Sequence, residues 1–184
     1  MDYVDIDTVE AYGGHTNPTE ETRALLAHFI TVASGMIDNE CRRTFGIETD
    51  AATETKTFTA ENGLLPLPEF EDQRVLWLGY DLCSTPTIAT AAVGVTFTYL
   101  PDHTPYYAIK RSEGAWEDPT TVDGHWAYSM TPPPAIQNVC LRLVTWLYHQ
   151  RESVQSMGNT VNIPNRLPAD VYQALGPYTK LRLP

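Results

Sequence analysis

The 184-residue chain is poor in the features on which most protein chemistry rests. It has three cysteines, Cys41, Cys83 and Cys140, an odd number at wide spacing. That pattern argues against a disulfide framework or a Cys-x-x-Cys metal site and reads as buried, reduced thiols behaving as small hydrophobes. The histidines stand at 15, 28, 103, 125 and 149, and no two have the spacing of a helical metal-ligand pair. There is no Gly-x-Ser-x-Gly elbow, no phosphate-cradling glycine loop and no dinucleotide fingerprint. Positive charge is scarce. Twelve Lys and Arg face 23 Asp and Glu, a formal charge of −11, against the basic face that general nucleic-acid binding needs. No apolar run approaches the ~20 residues that cross a bilayer. The first residues, Met1-Asp2-Tyr3-Val4-Asp5, lack a basic n-region and an apolar h-region, so no secretory signal is expected and the protein should stay where it is made.

What is present is patterned. A chain of this length fits one domain, or a small domain carrying an insertion. Residues 1–16 are polar and read as an extended N-terminal arm. Asn17, Pro18 and Glu20 resemble a capping box with a proline at the first helical position. Beyond them Leu25, Phe29, Val32 and Met36 recur at helical spacing, with Leu26, Ala33, Ile37 and Cys41 beside them. The helix is predicted to run to about Thr44, with Arg42 and Arg43 at its negative end and Gly46 as the residue that stops it.

Between about Thr53 and Ser129 the period changes to two. The runs 55–59, 64–67, 74–78, 95–99 and 106–110 are rich in β-branched, aromatic and aliphatic residues and are separated by Asn-Gly, Pro-Asp and Glu-Gly signals. With the segment before the proline run they predict a β-rich insertion of six strands, in which Pro66 and Pro68 suit an edge.

The join at 122–154 shows the change of period most clearly. Val122-Asp123-Gly124-His125-Trp126-Ala127-Tyr128 reads as an aromatic strand stopped by Pro132, Pro133 and Pro134. A helix over about 135–155 then carries Ile136, Cys140, Leu143 and Leu147 on one face. A short helix opens at Leu167-Pro168-Ala169-Asp170 and is closed by Gly176-Pro177. The fold class expected is α+β, a small helical bundle with an inserted β-rich domain. The bundle comprises residues 17–46 and 130–175, the insertion 47–129, and a C-terminal tail 176–184. Two long helices, each with one apolar stripe, must bury those stripes against each other. Leu25, Phe29, Val32, Met36, Ile136, Cys140, Leu143 and Leu147 are the expected bundle contacts, and Trp126 and Tyr128 are expected to pack the insertion on the bundle.

Charge is distributed unevenly. Asp2, Asp5, Asp7, Glu10, Glu20 and Glu21 precede the first cation, Arg23, whereas residues 171–184 carry Lys180 and Arg182 and no acid. This is either a solvated arm with a chance basic tail or a tail that seeks an acidic partner. Glu69, Glu71 and Asp72 cluster in a turn, as do Glu117 and Asp118. A glycosidase would hold two carboxylates a few ångströms apart, and Trp77, Trp116, Trp126 and Trp146 could stack on sugars. Solvated loops and core or interface anchors are the plainer reading of both sets.

Three segments together resemble the head–tail connector, or adaptor, proteins of tailed bacteriophages, often described as gp6-like or head-completion adaptors. The helix Leu25–Phe45, with its Ala33-Ser34 step, Ile37-Asp38, Arg42 and closing Phe45, is similar to the family's opening helix. Val122–Tyr128 is similar to the family's Val-x-Gly-x-Trp-Gly-Tyr strand, with Ala127 where glycine is commoner. Leu167-Pro168-Ala169-Asp170-Val171, followed by Leu175, Pro177 and Tyr178, resembles the closing helix and tail. The middle of the chain matches only in being strand-rich.

The resemblance implies a structural protein of the virion neck, made in the host cytoplasm, with no catalysis, cofactor, metal or membrane. It implies a dodecameric ring beneath the portal that extends the DNA channel without binding DNA specifically and offers a platform to a tail or stopper protein. It implies that Tyr178, Lys180, Leu181, Arg182 and Leu183 reach the portal. Channel-facing acids would repel passing phosphates, and the start of the first helix and Glu69–Asp72 are the candidates. Two other readings are a tail-side completion or terminator ring and, from a different class, a carbohydrate-binding module or glycosidase of a tail accessory structure.

Overall fold

The computed structural model describes residues 1–48, 50–59, 74–89, 94–157 and 167–180. Among these the chain is mixed α+β, with four α-helices and two small antiparallel sheets. It divides into two compact units, the first formed by Met1–Arg43 and Pro132–Pro184, the second by Thr44–Thr131.

The first unit is helical: α1 (Ile6–Gly13), α2 (Glu20–Cys41), α3 (Pro134–Met157) and α4 (Ala169–Leu175), the last running into a 3₁₀ turn at Gly176–Tyr178. Helix α2 packs along α3, and α4 and α1 each pack on both. Leu26, Ile30, Ala33, Ile37 and Cys41 of α2 are buried with Ile136, Val139, Cys140, Leu143 and Val144 of α3 and Val171 and Leu175 of α4. The expected α2 contacts Leu25, Phe29, Val32 and Met36 are only partly covered, and so is Leu147 of α3. The buried row lies one residue further along. Both rows, 25-29-32-36 and 26-30-33-37, repeat with the same 4-3-4 spacing, so periodicity alone cannot choose between them.

Residues 1–16 are not an extended arm. Asp5 caps α1, accepting the Thr8 amide hydrogen at 2.7 Å, and Gly14 (φ 70°) ends the helix. Tyr3, Val4 and Val9 are buried. Arg23 of α2 reaches back to Asp7 at 2.5 Å and Glu10 at 3.3 Å. An eight-residue helix is marginal alone, and these tertiary contacts supply what its sparse apolar pattern does not advertise.

The start of α2 is also shifted. Its cap is Thr19, whose Oγ1 accepts the Thr22 amide hydrogen at 3.2 Å, while Asn17 sits in the left-handed region at φ 57°. Asparagine tolerates that conformation, and the cap at Thr19 puts Glu20 and Glu21 at the positive end of the helix dipole. The helix stops at Cys41, with Arg42 rather than Gly46 taking the left-handed capping conformation (φ 54°).

The second unit holds β1 (Glu54–Phe58), β2 (Val75–Leu82), β3 (Thr87–Ile88), β4 (Phe97–Leu100), β5 (Tyr106–Arg111) and β6 (Thr120–Gly124). They form two three-stranded sheets, ordered β1-β6-β3 and β2-β5-β4. Phe58 and Val122 of the first sheet meet Leu76, Leu78, Leu82 and Ile109 of the second in a single core. The two-residue β3 was too short to carry a readable period, and the run 64–67 lies outside the described residues. The strand predicted over 122–128 ends at Gly124, because the chain there turns to bond residues 83–84. The Cys83 amide donates to the His125 carbonyl at 2.9 Å, and the His125 amide donates to Ser84 Oγ at 2.9 Å. A Cβ on Gly124 would come within 2.7 Å of Leu82 Cδ1, so any larger residue there would have to displace that side chain.

Candidate assembly surfaces

The C-terminal segment is tethered further along than the sequence indicates. Tyr178 belongs to the 3₁₀ turn that prolongs α4, and Thr179 Oγ1 donates to the Leu175 carbonyl at 3.2 Å. The Lys180 amide donates to the Cys41 carbonyl at 3.0 Å, fastening this strand of chain to the end of α2. Residues 176–180 are thus part of the helical unit, and a tail can begin no earlier than 181. Tyr178 and Lys180 remain partly exposed, while Leu181, Arg182 and Leu183 lie outside the described residues. Helix α4 also presents Tyr172, 60% exposed, and Asp170 of the same helix pairs with Arg142 of α3.

Trp126 and Tyr128, expected to join insertion and bundle, both find partners within the second unit. The Trp126 indole donates to the Glu54 carbonyl at 2.7 Å, and its ring lies 6.1 Å from Phe58 and 6.0 Å from Tyr80. Lys56 Nζ stands 4.5 Å over the Tyr80 ring and 5.3 Å over that of Trp126. Tyr128 packs on Phe45 at 5.4 Å and donates its amide to the Thr44 carbonyl at 2.7 Å.

The second sheet has one face in the core and one outside it. Register places Leu76, Ile109 and Tyr99 in line on the inner face, and Trp77, Ala108 and Leu100 in line on the outer face. Val75, Lys110 and Thr98 form the next outer row. Trp77 is 62% exposed and Leu100 38%, with Ala108 fully buried between them. Trp77 was one of the sugar-stacking candidates, and strand alternation around Leu76 and Leu78 is the signal that points it outward.

Among the described residues no group of three or more His, Cys, Asp and Glu could hold a metal ion, and no described helix is long and apolar enough to cross a membrane. Glu117 and Asp118 are both exposed, and Glu69–Asp72 lie outside the described residues. Trp116 stacks on Phe97 at 5.6 Å and donates its indole hydrogen to the Arg74 carbonyl at 2.9 Å, so it lines no open platform with Trp126. An open groove of about 550 Å³ in the helical unit is lined by Tyr3, Val4, Ala27 and Ile30 together with Asp2 and Asp5. The Asp5 carboxylate is taken up by Thr8, whose hydrogen bonds hold it below the usual carboxylate range. All three cysteines are free and buried, and burial pushes the Cys41 and Cys140 thiols up to about 11, out of the range of ready nucleophiles.

The described residues thus form a two-unit α+β chain that exposes several large apolar side chains. No family model matches the chain, and no curated protein matches it. Among solved structures it is similar to a chain from the "Neck of empty GTA particle computed with C6 symmetry", with a TM-score of 0.57 and 11% identity. The likeness covers 98% of this chain and 91% of that one, so the two share a fold from end to end.

Proposed function

We propose that this protein is a structural component of the neck of a phage-like particle, an adaptor that joins the portal to the tail. The observation that carries this reading is the fold shared over 98% of this chain with 91% of a chain from the neck of such a particle. In this role copies form a ring that extends the DNA channel. A dodecamer, the number the adaptor resemblance implies, keeps a sixfold axis when two copies form each repeat. The ring is a virion component, needs no catalysis, and hands a platform to the next tail or stopper protein. Exposed Glu20 and Glu21 at the start of α2, on a chain of charge −11, suit a wall that repels DNA phosphates rather than holding them.

The portal contact falls to the C-terminal end, Tyr178, Lys180, Leu181, Arg182 and Leu183. Alternating leucine and cation suits docking on an acidic surface, and the anchoring of Lys180 on α2 gives that end a fixed point of departure. Many tails acting together hold a ring by avidity even where each contact is weak. The test is retention of the purified protein on isolated portal rings. The full chain should be retained and a chain lacking 181–184 should not. Equal retention of the two would refute the assignment of the tail, and no retention of the full chain would refute the portal contact.

A further inference from the structure

We propose that Arg42, at the end of α2, is part of the surface that grips the portal, its guanidinium meeting a carboxylate of that partner. The inference rests on the portal contact proposed above and adds to the tail a residue of the folded body.

Arg42 holds a backbone conformation that its own Cβ disfavours. Its φ of 54° lies in the left-handed region, where a Cβ crowds the following carbonyl and glycine is the usual occupant. The helix end demands that conformation, because the amides of Arg42 and Arg43 both turn back to the Asp38 carbonyl, the second at 3.3 Å. Nothing in its own fold offsets the strain. The Arg42 side chain is exposed and, among the described residues, has no ion-pair or hydrogen-bond partner. Other cations of the chain are taken up: Arg23 by Asp7 and Glu10, Lys56 by Glu54, and Arg142 by Asp170. A charged residue that strains the backbone and makes no contact within its own fold is placed for a partner.

Charge and place select that partner. A guanidinium stays charged at any working pH and pairs with a carboxylate through parallel hydrogen bonds. Neither acid of the last turn of α2, Asp38 or Glu40, pairs with Arg42, and Asp38 accepts from Tyr3 instead. The Lys180 amide donates to the Cys41 carbonyl at 3.0 Å, so the last described residue of the C-terminal end lies beside Arg42. Residues 171–184 carry Lys180 and Arg182 and no acid. Arg42 therefore continues, on the body of the protein, the cationic character of the segment assigned to the portal. One more charge pair per copy is weak by itself and is multiplied by avidity round a ring.

The test is retention of the full chain on isolated portal rings through a rising salt series, with the melting temperature of each variant measured beside it. Arg42→Gly should be released at a salt concentration that the wild type withstands. Its melting temperature should be no lower, since glycine accepts the left-handed conformation without strain. Arg42→Lys keeps the charge and should be held nearly as long as the wild type, and Arg42→Glu should be released first. Lys56→Gln on β1 makes the same change in net charge within the second unit and should be retained like the wild type. Equal retention of Arg42→Gly and the wild type would overturn the inference. So would a lowered melting temperature of Arg42→Gly, since the guanidinium would then serve its own fold. Equal early release of Arg42→Gly and Lys56→Gln would overturn it too, because net charge alone would then be responsible. Retention of the full chain, and its loss on removing 181–184, are read in the same series, so the portal contact can stand when Arg42 fails.

Discussion

Asp38 shows how a single residue on α2 couples the start of the chain to its stability. Its Oδ1 accepts the hydroxyl hydrogen of Tyr3, 35 positions earlier in the sequence. Burial nevertheless outweighs that bond and raises the carboxyl above its ordinary value of 3.8. A group whose pKa is higher folded than unfolded stabilises the fold in its protonated form. That contribution is complete below the unfolded value and is lost as pH rises through the folded one. Asp38→Asn stays neutral and can still accept from Tyr3. Its melting temperature should therefore gain on that of the wild type as pH rises from about 3.5 to 7, with little difference at the acid end. A constant gap, or one that closes with rising pH, would show that desolvation is not what governs Asp38. The Tyr3 amide, bonded to Ser34 Oγ at 3.1 Å, holds the same segment in place from its backbone. Neither bond could be read from a stretch whose composition is simply acidic and polar.

At the scale of the element, α3 was the most legible. The proline run fixed its start, Pro134 occupies the first helical position, and Ile136, Cys140 and Leu143 are all fully buried. Leu143→Ala should lower stability by about 2–5 kcal/mol, the range for a large-to-small change in a packed core, read from chemical denaturation. An unaltered midpoint would mean that the cavity closes or that this face is not the packed one. Helix α2 was legible as a helix but not in its rotation, for its two adjacent apolar rows share one spacing and only the position of α3 selects between them. Strands β1, β2, β4 and β5 were visible through their β-branched and aromatic alternation. The end of β6 was not, because it depends on Ser84 and Cys83, some forty residues away in sequence.

For the whole molecule, the Lys180–Cys41 hydrogen bond separates two truncations. Ending the chain after Lys180 removes only residues 181–184, whereas ending it after Leu175 also removes the Lys180–Cys41 and Thr179–Leu175 hydrogen bonds and the 3₁₀ turn. The first truncation should leave the melting temperature nearly unchanged. The second should lower it, since the last turn of α4 and the end of α2 lose their backbone partners; each lost hydrogen bond is worth about 1 kcal/mol. Equal melting temperatures would return residues 176–180 to the tail.

The amino-acid sequence alone determined the kind and order of the two long helices, of β1, β2, β4 and β5 and of the short helix α4, because helical and strand periods, prolines and caps act within a few residues. It also set the net charge of −11, which is a sum and needs no coordinates. Tertiary structure decided which of two equal stripes on α2 is buried, that an acidic start folds as a capped helix, and that residues 176–180 are fastened down. It also set Leu100 and Ala108 in register beside Trp77. Each of these depends on partners far away in the chain, and no local pattern encodes the position of a distant partner.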